Sequence, residues 1–447
     1  MIIISLKKPL KEMSLSIIIL AAGQGLRMNS EIPKVFHSVG NYPMIYHVLD
    51  LSQKLKPSST TLVVSNKLKS FEKSLIKRYQ KIKFEYQKKP LGTANAVITA
   101  LNNKEIIKKK NTIILYGDTP LITYETLSKA LNDFKRKKLD LSILSMIEND
   151  TNNSYGRLVF KKSKLKKIVE KSELNFKQKN ILLCNSGIML IKTKLLNEKL
   201  KQVKNKNEKR EFFLTDLVEI LDKENYKVSY FNSRIGEAMG VNNKTDLAKA
   251  ERKFQDDMRE KFLKQGVTII DPCTVYFSKD TKIGKDVIVH PNVVFGPKVK
   301  IGNSVVIKSF SHIESSSIGD NAIVGPFVRL RDESIIGSQS KIGNFVEIKK
   351  SKIKKNVKIS HLSYIGDSSI EKNTNIGAGT ITCNYDGLKK NKTYIGENCF
   401  IGSNTSLIAP IKIKKDSIIG AGTVVDKNIQ EGTVVYRKSQ LIKKNKK

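Results

Sequence analysis

Residues 395–402 read Ile-Gly-Glu-Asn-Cys-Phe-Ile-Gly, so one Ile-Gly dipeptide follows another after six residues. Ten such dipeptides occur between residues 283 and 420, and only one precedes them, at Ile235. Several separations are multiples of six, such as the step of 18 from Ile283 to Ile301. A six-residue period with one inward aliphatic side chain per repeat is typical of a parallel β-helix, which stacks Ile on Ile and turns at Gly. The ten isoleucines are Ile283, Ile301, Ile318, Ile336, Ile342, Ile365, Ile376, Ile395, Ile401 and Ile419.

The segment between Ile376 and Ile395 breaks this rhythm, because the two isoleucines are 19 residues apart. We therefore expect residues 383–392 to leave the β-helix as a loop directed toward a neighbouring chain. A prism with flat faces buries little of its outer surface and packs most simply with copies of itself around a threefold axis. The sequence thus predicts a homotrimer.

An α/β pattern precedes the repeat. Short aliphatic runs alternate with amphipathic stretches at 44–55 and 123–135, which is typical of a mainly parallel sheet with a ligand crevice at its strand ends. Residues 246–265 contain no Gly or Pro and predict a connecting helix that ends at Gly266. We expect a domain at 14–245, a linker helix at 246–266, and a β-helix domain with a basic tail at 267–447. The predicted strands are 17–20, 61–64, 113–116, 141–146 and 188–191.

The chain of 447 residues is strongly basic, with 81 Lys and Arg against 42 Asp and Glu and a net charge of +39. Such a balance can indicate nucleic-acid or membrane binding. The excess is mostly Lys spread along the whole chain, and Trp is absent. We therefore interpret it as a solvated surface that favours phosphorylated substrates, and expect no specific nucleic-acid partner.

The remaining composition indicates a cytoplasmic protein. The four cysteines have no zinc-ligand spacing, so reduced thiols are expected. No run approaches the roughly 20 apolar residues of a membrane span, and residues 1–10 lack the features of a secretory signal. Met13 is a second candidate initiator, because the first clear strand follows it closely.

A glycine-rich motif follows the first predicted strand. Residues 20–28 read Leu-Ala-Ala-Gly-Gln-Gly-Leu-Arg-Met, and Pro33-Lys34 comes next. Two glycines after a buried strand let backbone N–H groups approach a triphosphate, and Arg27 and Lys34 add positive charge. The string matches neither the Walker pattern nor GxGxxG, which disfavours a kinase-like P-loop and an NAD-binding fold. It resembles the signature of the sugar-1-phosphate nucleotidyltransferase family.

Further motifs of that family follow in the same order. Tyr116-Gly117-Asp118 resembles the strand-end tripeptide whose aspartate holds Mg²⁺, and Asn242 resembles the second metal ligand. The resemblance implies that Lys34 and Arg27 offset charge as a sugar phosphate attacks the α-phosphorus of UTP. The implied contacts to UTP and UDP-N-acetylglucosamine are Leu20, Ala21, Ala22, Gly23, Lys34, Gln87, Gly92, Thr93, Tyr116, Gly117, Asp118, Gly156, Glu170, Asn185 and Asn242.

A second set of polar residues lies at interruptions of the hexad rhythm. The most specific string is 375–387, NIGAGTITCNYDG. Together with the first motif, this set resembles the family of bifunctional bacterial enzymes that acetylate glucosamine-1-phosphate with acetyl-CoA and then join the product to UTP. The resemblance implies a Rossmann-like nucleotidyltransferase domain, a left-handed β-helix, and a product used for peptidoglycan and lipopolysaccharide.

The same resemblance assigns roles within the repeat region. It implies that His361 is the general base, because an imidazole can take a proton from an amine near neutral pH. The implied glucosamine-1-phosphate contacts are Arg331, Lys349, Tyr364 and Asn375. Glu347 and Lys390 also match acetyltransferase positions of the family, and Lys390 is implied to hold the sugar phosphate. The implied acetyl-CoA contacts are Ala378, Asn384, Tyr385, Ser403, Ala421 and Lys438.

Three departures from the family pattern concern substrate contacts. Pro90 replaces a common uracil-side Gln, Asn95 stands where a His is frequent, and Lys438, beside Arg437, replaces an Arg. Two other functions remain open: a nucleotidyltransferase with a β-helix that serves only for trimerisation, and a polyanion-binding protein without enzymatic activity. Activity with acetyl-CoA alone distinguishes the bifunctional enzyme from the first.

Overall fold

The computed structural model describes residues 14–438 and residue 443. The chain forms two compact units, which divide between Phe254 and Gln255. The candidate initiator Met13 and most of the predicted basic tail lie outside the described residues. None of the helices within 14–438 combines the length and apolar character that a membrane span requires.

The N-terminal unit alternates strands and helices. Its strands are β1 (Leu15–Ala21), β2 (Ser38–Val39), β3 (Tyr42–Pro43), β4 (Ser59–Val64), β5 (Ile82–Tyr86), β6 (Asn111–Tyr116), β7 (Leu141–Ile147), β8 (Arg157–Lys161), β9 (Lys164–Val169), β10 (Leu183–Lys192) and β11 (Val228–Asn232). Its helices are α1 (Met44–Lys54), α2 (Glu72–Arg78), α3 (Thr93–Ala100), α4 (Lys104–Ile107), α5 (Tyr124–Arg136), α6 (Phe176–Lys179), α7 (Thr193–Lys199) and α8 (Asp216–Lys223), and α9 (Lys244–Lys264) follows.

The main sheet has the order β11-β7-β10-β6-β1-β4-β5, with the β8-β9 hairpin attached to β10. β1 pairs parallel to β4 and β6, whereas β10 runs antiparallel to β6 and β7. Helices cover both faces, so Ile17 and Ile19 enter one apolar cluster and Ile18 enters the other. All five strands predicted from the sequence are present, and the predicted fold class is confirmed.

Strands that the sequence analysis missed lack a continuous aliphatic run. In β5, Lys83 and Glu85 separate apolar residues that are only partly buried, and three of the six residues of β9 are lysines. Helix α9 begins two residues before the predicted start at 246. The side chain of Asn243 accepts a hydrogen bond from the Asp246 N–H (2.8 Å), and such a cap favours a helix start at this point.

The C-terminal unit is a left-handed parallel β-helix with three faces. Face 1 contains β12 (Thr268–Ile269), β14 (Ile288–Val289), β17 (Val306–Ile307), β20 (Ile323–Val324), β23 (Lys341–Asn344), β26 (Lys358–His361), β29 (Asn375–Ile376), β32 (Phe400–Ile401), β35 (Ile418–Ile419) and β37 (Val434–Val435). Face 2 contains β15 (Val294–Phe295), β18 (His312–Ile313), β21 (Arg329–Arg331), β24 (Glu347–Lys349), β27 (Tyr364–Gly366), β30 (Ile381–Cys383), β33 (Ser406–Ile408) and β36 (Val424–Val425). Face 3 contains β13 (Lys282–Ile283), β16 (Lys300–Ile301), β19 (Ser317–Ile318), β22 (Ile335–Ile336), β25 (Lys352–Ile353), β28 (Ser368–Ile370), β31 (Thr393–Ile395) and β34 (Ile411–Ile413).

The isoleucines of the repeat form the core of this prism. Ile342 pairs with Ile359, and Ile376 pairs with Ile401, so that aliphatic side chains stack along each face. Nine of the ten isoleucines in the Ile-Gly pairs are buried, and Ile283, in the first strand of face 3, is only partly covered. The stacking predicted from the hexad period is therefore confirmed.

One coil is enlarged by a loop. β29 begins at residue 375 and β32 at residue 400, a step of 25, whereas the next step, from 400 to 418, is 18. The seven extra residues lie within 384–392, the segment between β30 and β31. Cys383, which was expected in this loop, is instead the last residue of β30. Leu388 is 95% exposed at the tip of the loop.

Candidate active sites

The glycine-rich segment of the N-terminal unit turns directly after β1. Ala21 ends the strand, and Ala22 and Gly23 lead into the turn. Gly25 has a φ of 68°, and a Cβ placed there would lie 2.8 Å from the Cβ of Lys34. Only glycine tolerates both the left-handed backbone and this close approach. Gly25 therefore allows Lys34 to lie against the glycine-rich turn.

Lys34 lies between the two predicted metal ligands. Its ammonium forms an ion pair with the carboxylate of Asp118 and lies 3.5 Å from the amide oxygen of Asn242. Arg27 donates to the same Asn242 oxygen at 3.1 Å. The Asp118 carbonyl accepts a hydrogen bond from the Val241 N–H (2.9 Å), which joins the end of β6 to the segment that carries Asn242. Four residues that are distant in sequence thus converge beyond the carboxyl ends of β1 and β6.

Three of the predicted UTP contacts, Gln87, Gly92 and Thr93, lie around the start of α3. The Gln87 side chain donates to the Asn95 side chain at 2.8 Å. Asn95, one of the departures from the family pattern, therefore orients Gln87. Gly92 has a φ of 109°, and a Cβ there would lie 2.5 Å from the Phe212 carbonyl oxygen. The Thr93 hydroxyl accepts the Leu214 N–H at 3.0 Å, which fixes the turn before α3.

Three of the predicted UDP-N-acetylglucosamine contacts, Gly156, Glu170 and Asn185, lie near a group of partly buried acids. The Glu170 carboxylate accepts a hydrogen bond from the Thr215 hydroxyl (2.9 Å), and burial raises the pKa of Glu170. A Cβ at Gly156 would lie 3.4 Å from a Glu170 oxygen. The Asn185 N–H donates to the Gly156 carbonyl at 2.8 Å. Burial and then the charges of Glu173 and Glu170 raise the pKa of Asp216 to about 6, a residue that the sequence analysis did not select.

Tyr116, at the end of β6, packs against β10, the strand that carries Asn185. Burial raises its pKa above the usual range, and its ring lies against Gly187, where a Cβ would be 2.6 Å from a ring carbon. Gly117 follows it, and a Cβ there would lie 3.0 to 3.2 Å from Ile45, Ala21 and Val35 side chains. Gly117 therefore keeps the end of β6 close to the start of the glycine-rich turn.

In the β-helix, one cluster of polar residues lies along the edge where face 2 meets face 3. We call this edge corner 2–3. Arg331 donates to Glu347 at 2.6 Å, one coil further along. Lys349 and Asp367, each with a side chain 9% exposed, approach to 4.0 Å. The Asn384 amide nitrogen donates to the Asp367 carboxylate at 2.5 Å. This cluster brings four charged groups and one amide to a single corner.

Tyr364 and Lys390 belong to the same cluster. A Cβ at Gly366 would lie 2.5 Å from the Tyr364 hydroxyl and 2.8 Å from the Asn384 amide nitrogen, so glycine is needed for the two side chains to converge. Proximity to the Lys349 ammonium lowers the pKa of Lys390.

The loop that carries Lys390 is ordered by its own contacts. The Asp386 carboxylate accepts the backbone N–H groups of Leu388 (2.9 Å) and Lys389 (2.8 Å), which lower the pKa of Asp386 to about 2. The Tyr385 hydroxyl donates to the Gly387 carbonyl at 2.6 Å. Tyr385 and Lys390 form an antiparallel bridge.

His361 lies at a different edge of the prism, where face 1 meets face 2. We call this edge corner 1–2. Its Nδ1 is 2.7 Å from the Asn344 side-chain oxygen, on the preceding coil. The predicted acetyl-CoA contacts Ala378, Ser403 and Ala421 continue along this corner. The Asn404 N–H donates to Ala378 O at 2.7 Å, and the Gly422 N–H donates to Ser403 O at 2.8 Å. Asn375 begins β29 on the adjoining face, and Lys438 is exposed beyond β37.

The structure therefore separates the predicted acetyl-transfer residues into two groups within one chain. Among the described residues, no hydrogen bond joins His361 to Lys349, Tyr364 or Asn384. Sequence reasoning missed Asp367 and the role of Asn344. Each lies 17 residues from its partner, Asn384 or His361, a spacing close to one coil that could have indicated the pairs.

Three family models match the chain. One described as nucleotidyl transferase matches residues 16–254. One described as bacterial transferase hexapeptide (six repeats) matches 280–315 and 315–350, and one described as hexapeptide repeat of succinyl-transferase matches 392–427.

Curated relatives cover nearly the whole chain. The bifunctional protein GlmU of Wolbachia pipientis wMel is 41% identical over 432 residues, which cover 96% of this chain and 98% of the relative. The bifunctional protein GlmU of Paramagnetospirillum magneticum is 41% identical over 430 residues, with 96% and 94% coverage. Among solved structures, UDP-glucose pyrophosphorylase complexed with UDP-glucose has 16% identity and a TM-score of 0.45, and covers 54% of this chain and 98% of that one.

Proposed function

The chain belongs to the family of the bifunctional GlmU proteins, and from this premise we propose that it catalyses two successive transfers. It moves an acetyl group from acetyl-CoA to the amine of glucosamine-1-phosphate. It then joins N-acetylglucosamine-1-phosphate to the uridylyl group of UTP, giving UDP-N-acetylglucosamine and pyrophosphate for peptidoglycan and lipopolysaccharide synthesis. The supporting observation is that each unit carries its own cluster of converging polar residues. These are Lys34, Asp118 and Asn242 in the first, and Lys349, Asp367 and Asn384 in the second.

The uridylyl-transfer site fits a magnesium ion. The oxygens of Asp118 and Asn242 both approach the Lys34 ammonium, so a cation already lies where two hard oxygen ligands converge. Mg²⁺ characteristically takes one or two protein oxygens together with phosphates and water. When bound there, it would offset negative charge on the phosphates.

Backbone N–H groups and basic side chains of the chain bind the phosphates in this reaction. The turn at Ala22 and Gly23 offers backbone N–H groups to the triphosphate, and Lys34 and Arg27 place positive charge beside it. A phosphate oxygen of the sugar then bonds to the α-phosphorus while the bond to pyrophosphate breaks. No protein nucleophile is required.

Acetyl transfer uses His361 as the general base. The amide oxygen of Asn344 accepts the Nδ1 proton of His361, so that Nε2 can take a proton. The neutral amine attacks the thioester carbonyl, His361 removes the proton that the nitrogen loses, and the CoA thiolate leaves. Arg331, Lys349 and Lys390 hold the sugar phosphate, and corner 1–2 from Ala378 to Ala421 receives acetyl-CoA.

A homotrimer completes the second site. Phe310, Phe327 and Phe345 stack along corner 1–2, with ring centroids 4.9 and 5.1 Å apart, and Leu362 continues the row beside His361. All four side chains are at least 45% exposed in the single chain. A bulky residue with positive φ is unusual, and all four have φ between 49° and 61°. We call this row the aromatic corner, and propose that neighbouring copies cover it and bring Asn384, Tyr385 and Lys390 to His361.

The two activities can be tested in an assay that contains glucosamine-1-phosphate, acetyl-CoA, UTP and Mg²⁺ at neutral pH, from which one component at a time is left out. We expect CoA release to continue without UTP and in EDTA, because acetyl transfer needs neither. Formation of UDP-N-acetylglucosamine should stop without acetyl-CoA and resume when N-acetylglucosamine-1-phosphate is supplied. CoA release that requires UTP, or UDP-sugar formation that survives EDTA, would contradict the proposal.

The trimer can be tested by replacing Phe310, Phe327 and Phe345 with Asn, which tolerates positive φ and so should not harm the coil. We expect the variant to sediment as a monomer and to lose acetyl transfer by about 10²-fold, because the catalytic groups are no longer aligned. Uridylyl transfer should stay near the wild-type rate.

The matched control replaces Tyr394, an exposed aromatic residue on face 3, with Asn. This variant should remain trimeric and active. A folded monomer of the triple variant that acetylates at the wild-type rate would disprove the shared site.

A further inference from the structure

Asp367, in the cluster at corner 2–3, is hydrogen-bonded to both neighbouring coils, and no role was predicted for it. Its backbone has a φ of 49°, a left-handed conformation that Asp tolerates better than most residues. Its N–H donates to the Lys349 carbonyl at 3.0 Å, and its carbonyl accepts the Thr393 N–H at 3.3 Å. The coils before and after it therefore fix the position of its carboxylate.

This carboxylate determines how the Asn384 amide is turned. An ionised carboxylate can only accept hydrogen bonds, so the NH₂ group of Asn384 must face Asp367, at 2.5 Å. The carbonyl oxygen of Asn384 then points away from Asp367. Without the Asp367 carboxylate, either the NH₂ group or the carbonyl oxygen of Asn384 could face this position.

The contact with Lys349 is weaker than the contact with Asn384. The Lys349 ammonium lies 4.0 Å from the Asp367 carboxylate, beyond hydrogen-bond length. Gly366 adds a second constraint on Asn384, because the space that a Cβ would fill lies 2.8 Å from its amide nitrogen. The geometry therefore links Asp367 to Asn384 first.

We propose that Asp367 is a positioning residue for acetyl transfer, which holds Asn384 with its carbonyl oxygen presented to the reacting groups. This inference rests on the proposed acetyltransferase function. Asp367 itself touches neither substrate and acts through Asn384. Its loss should therefore lower kcat without a matching change in the KM for glucosamine-1-phosphate.

The test compares Asp367→Ala, Asn384→Ala and the double variant in the full-length trimer. We expect each single change to lower kcat for acetyl transfer about 10- to 100-fold, the usual effect of a lost buried hydrogen bond to a charged group. Adding Asp367→Ala to Asn384→Ala should change kcat by no more than about twofold, because the two residues act as one unit. Asp367→Asn keeps an acceptor oxygen and the left-handed backbone, and should recover part of the activity.

The matched control is Asp416→Ala. Asp416 also has positive φ (57°) and accepts an Asn amide, from Asn398 at 3.0 Å, but it lies at another corner of the prism. We expect this control to acetylate at the wild-type rate. Uridylyl transfer from N-acetylglucosamine-1-phosphate and sedimentation report whether each variant is folded and trimeric.

The outcomes separate the inference from the function. A wild-type protein that does not acetylate glucosamine-1-phosphate would overturn the proposed function and this inference with it. An active wild type with an unimpaired Asp367→Ala variant, or with losses that multiply in the double variant, would overturn the inference alone. A rise in the KM for glucosamine-1-phosphate with unchanged kcat would indicate that Asp367 positions the substrate-binding lysines instead of Asn384. This result would also overturn the inference.

Discussion

Asp118→Ala abolishes UDP-N-acetylglucosamine formation and leaves the release of CoA from acetyl-CoA unchanged. This is the expected result, because Asp118 and Asn242 are the two predicted metal ligands, and an oxygen of each approaches the Lys34 ammonium. Without this carboxylate, a bound Mg²⁺ would lose one of its two proposed protein ligands, and the rate should fall by roughly 10²- to 10³-fold or more. The backbone contact from Val241 survives the substitution, since it uses the main-chain oxygen of Asp118.

Both reactions should be measured on the same preparation of the Asp118 variant. Lys34→Ala should give the same pattern. Asp222→Ala, which removes a surface ion pair with Lys166 (2.9 Å), is the control and should retain both activities. Equal loss of the two activities in the Asp118 variant would argue against two independent sites.

His361→Ala gives the reverse result. Acetyl transfer should fall by roughly 10²- to 10⁴-fold, the usual contribution of a general base, while uridylyl transfer from N-acetylglucosamine-1-phosphate stays intact. The neutral amine can still attack, but no group then receives its proton. Asn344→Ala should lower the same rate to a smaller extent, because it frees the ring of His361 without removing it.

His312→Ala is the matched control for His361. His312 is also exposed on the β-helix, at the start of β18 on face 2, and has no predicted role. Stopped assays of CoA release with both substrates saturating measure kcat for acetyl transfer. An unchanged rate in the His361 variant would remove this residue from the mechanism.

Local patterns in the sequence predicted most of the fold. The Ile-Gly period predicted the β-helix because each inward side chain repeats at a fixed short spacing, and Ile342, Ile359 and Ile376 do stack in neighbouring coils. The buried runs of β1 and β6 were clear because helices cover both sides of the sheet. β9 was missed because three of its six residues are lysines, which leave no continuous aliphatic run.

The sequence by itself also indicated Lys34, Asp118 and His361, because each lies in a string that resembles a motif of a known enzyme family. Only the tertiary structure decided which of these groups meet. It joined Lys34 to Asp118, 84 residues away, and to Asn242, 208 residues away, and it paired Asp367 with Asn384. It also placed His361 and Asn384 at different corners of one prism. The physical reason is that strand and turn patterns depend on near neighbours, whereas contacts between side chains depend on how sheets and coils stack. That stacking sets the distance between residues far apart in the chain.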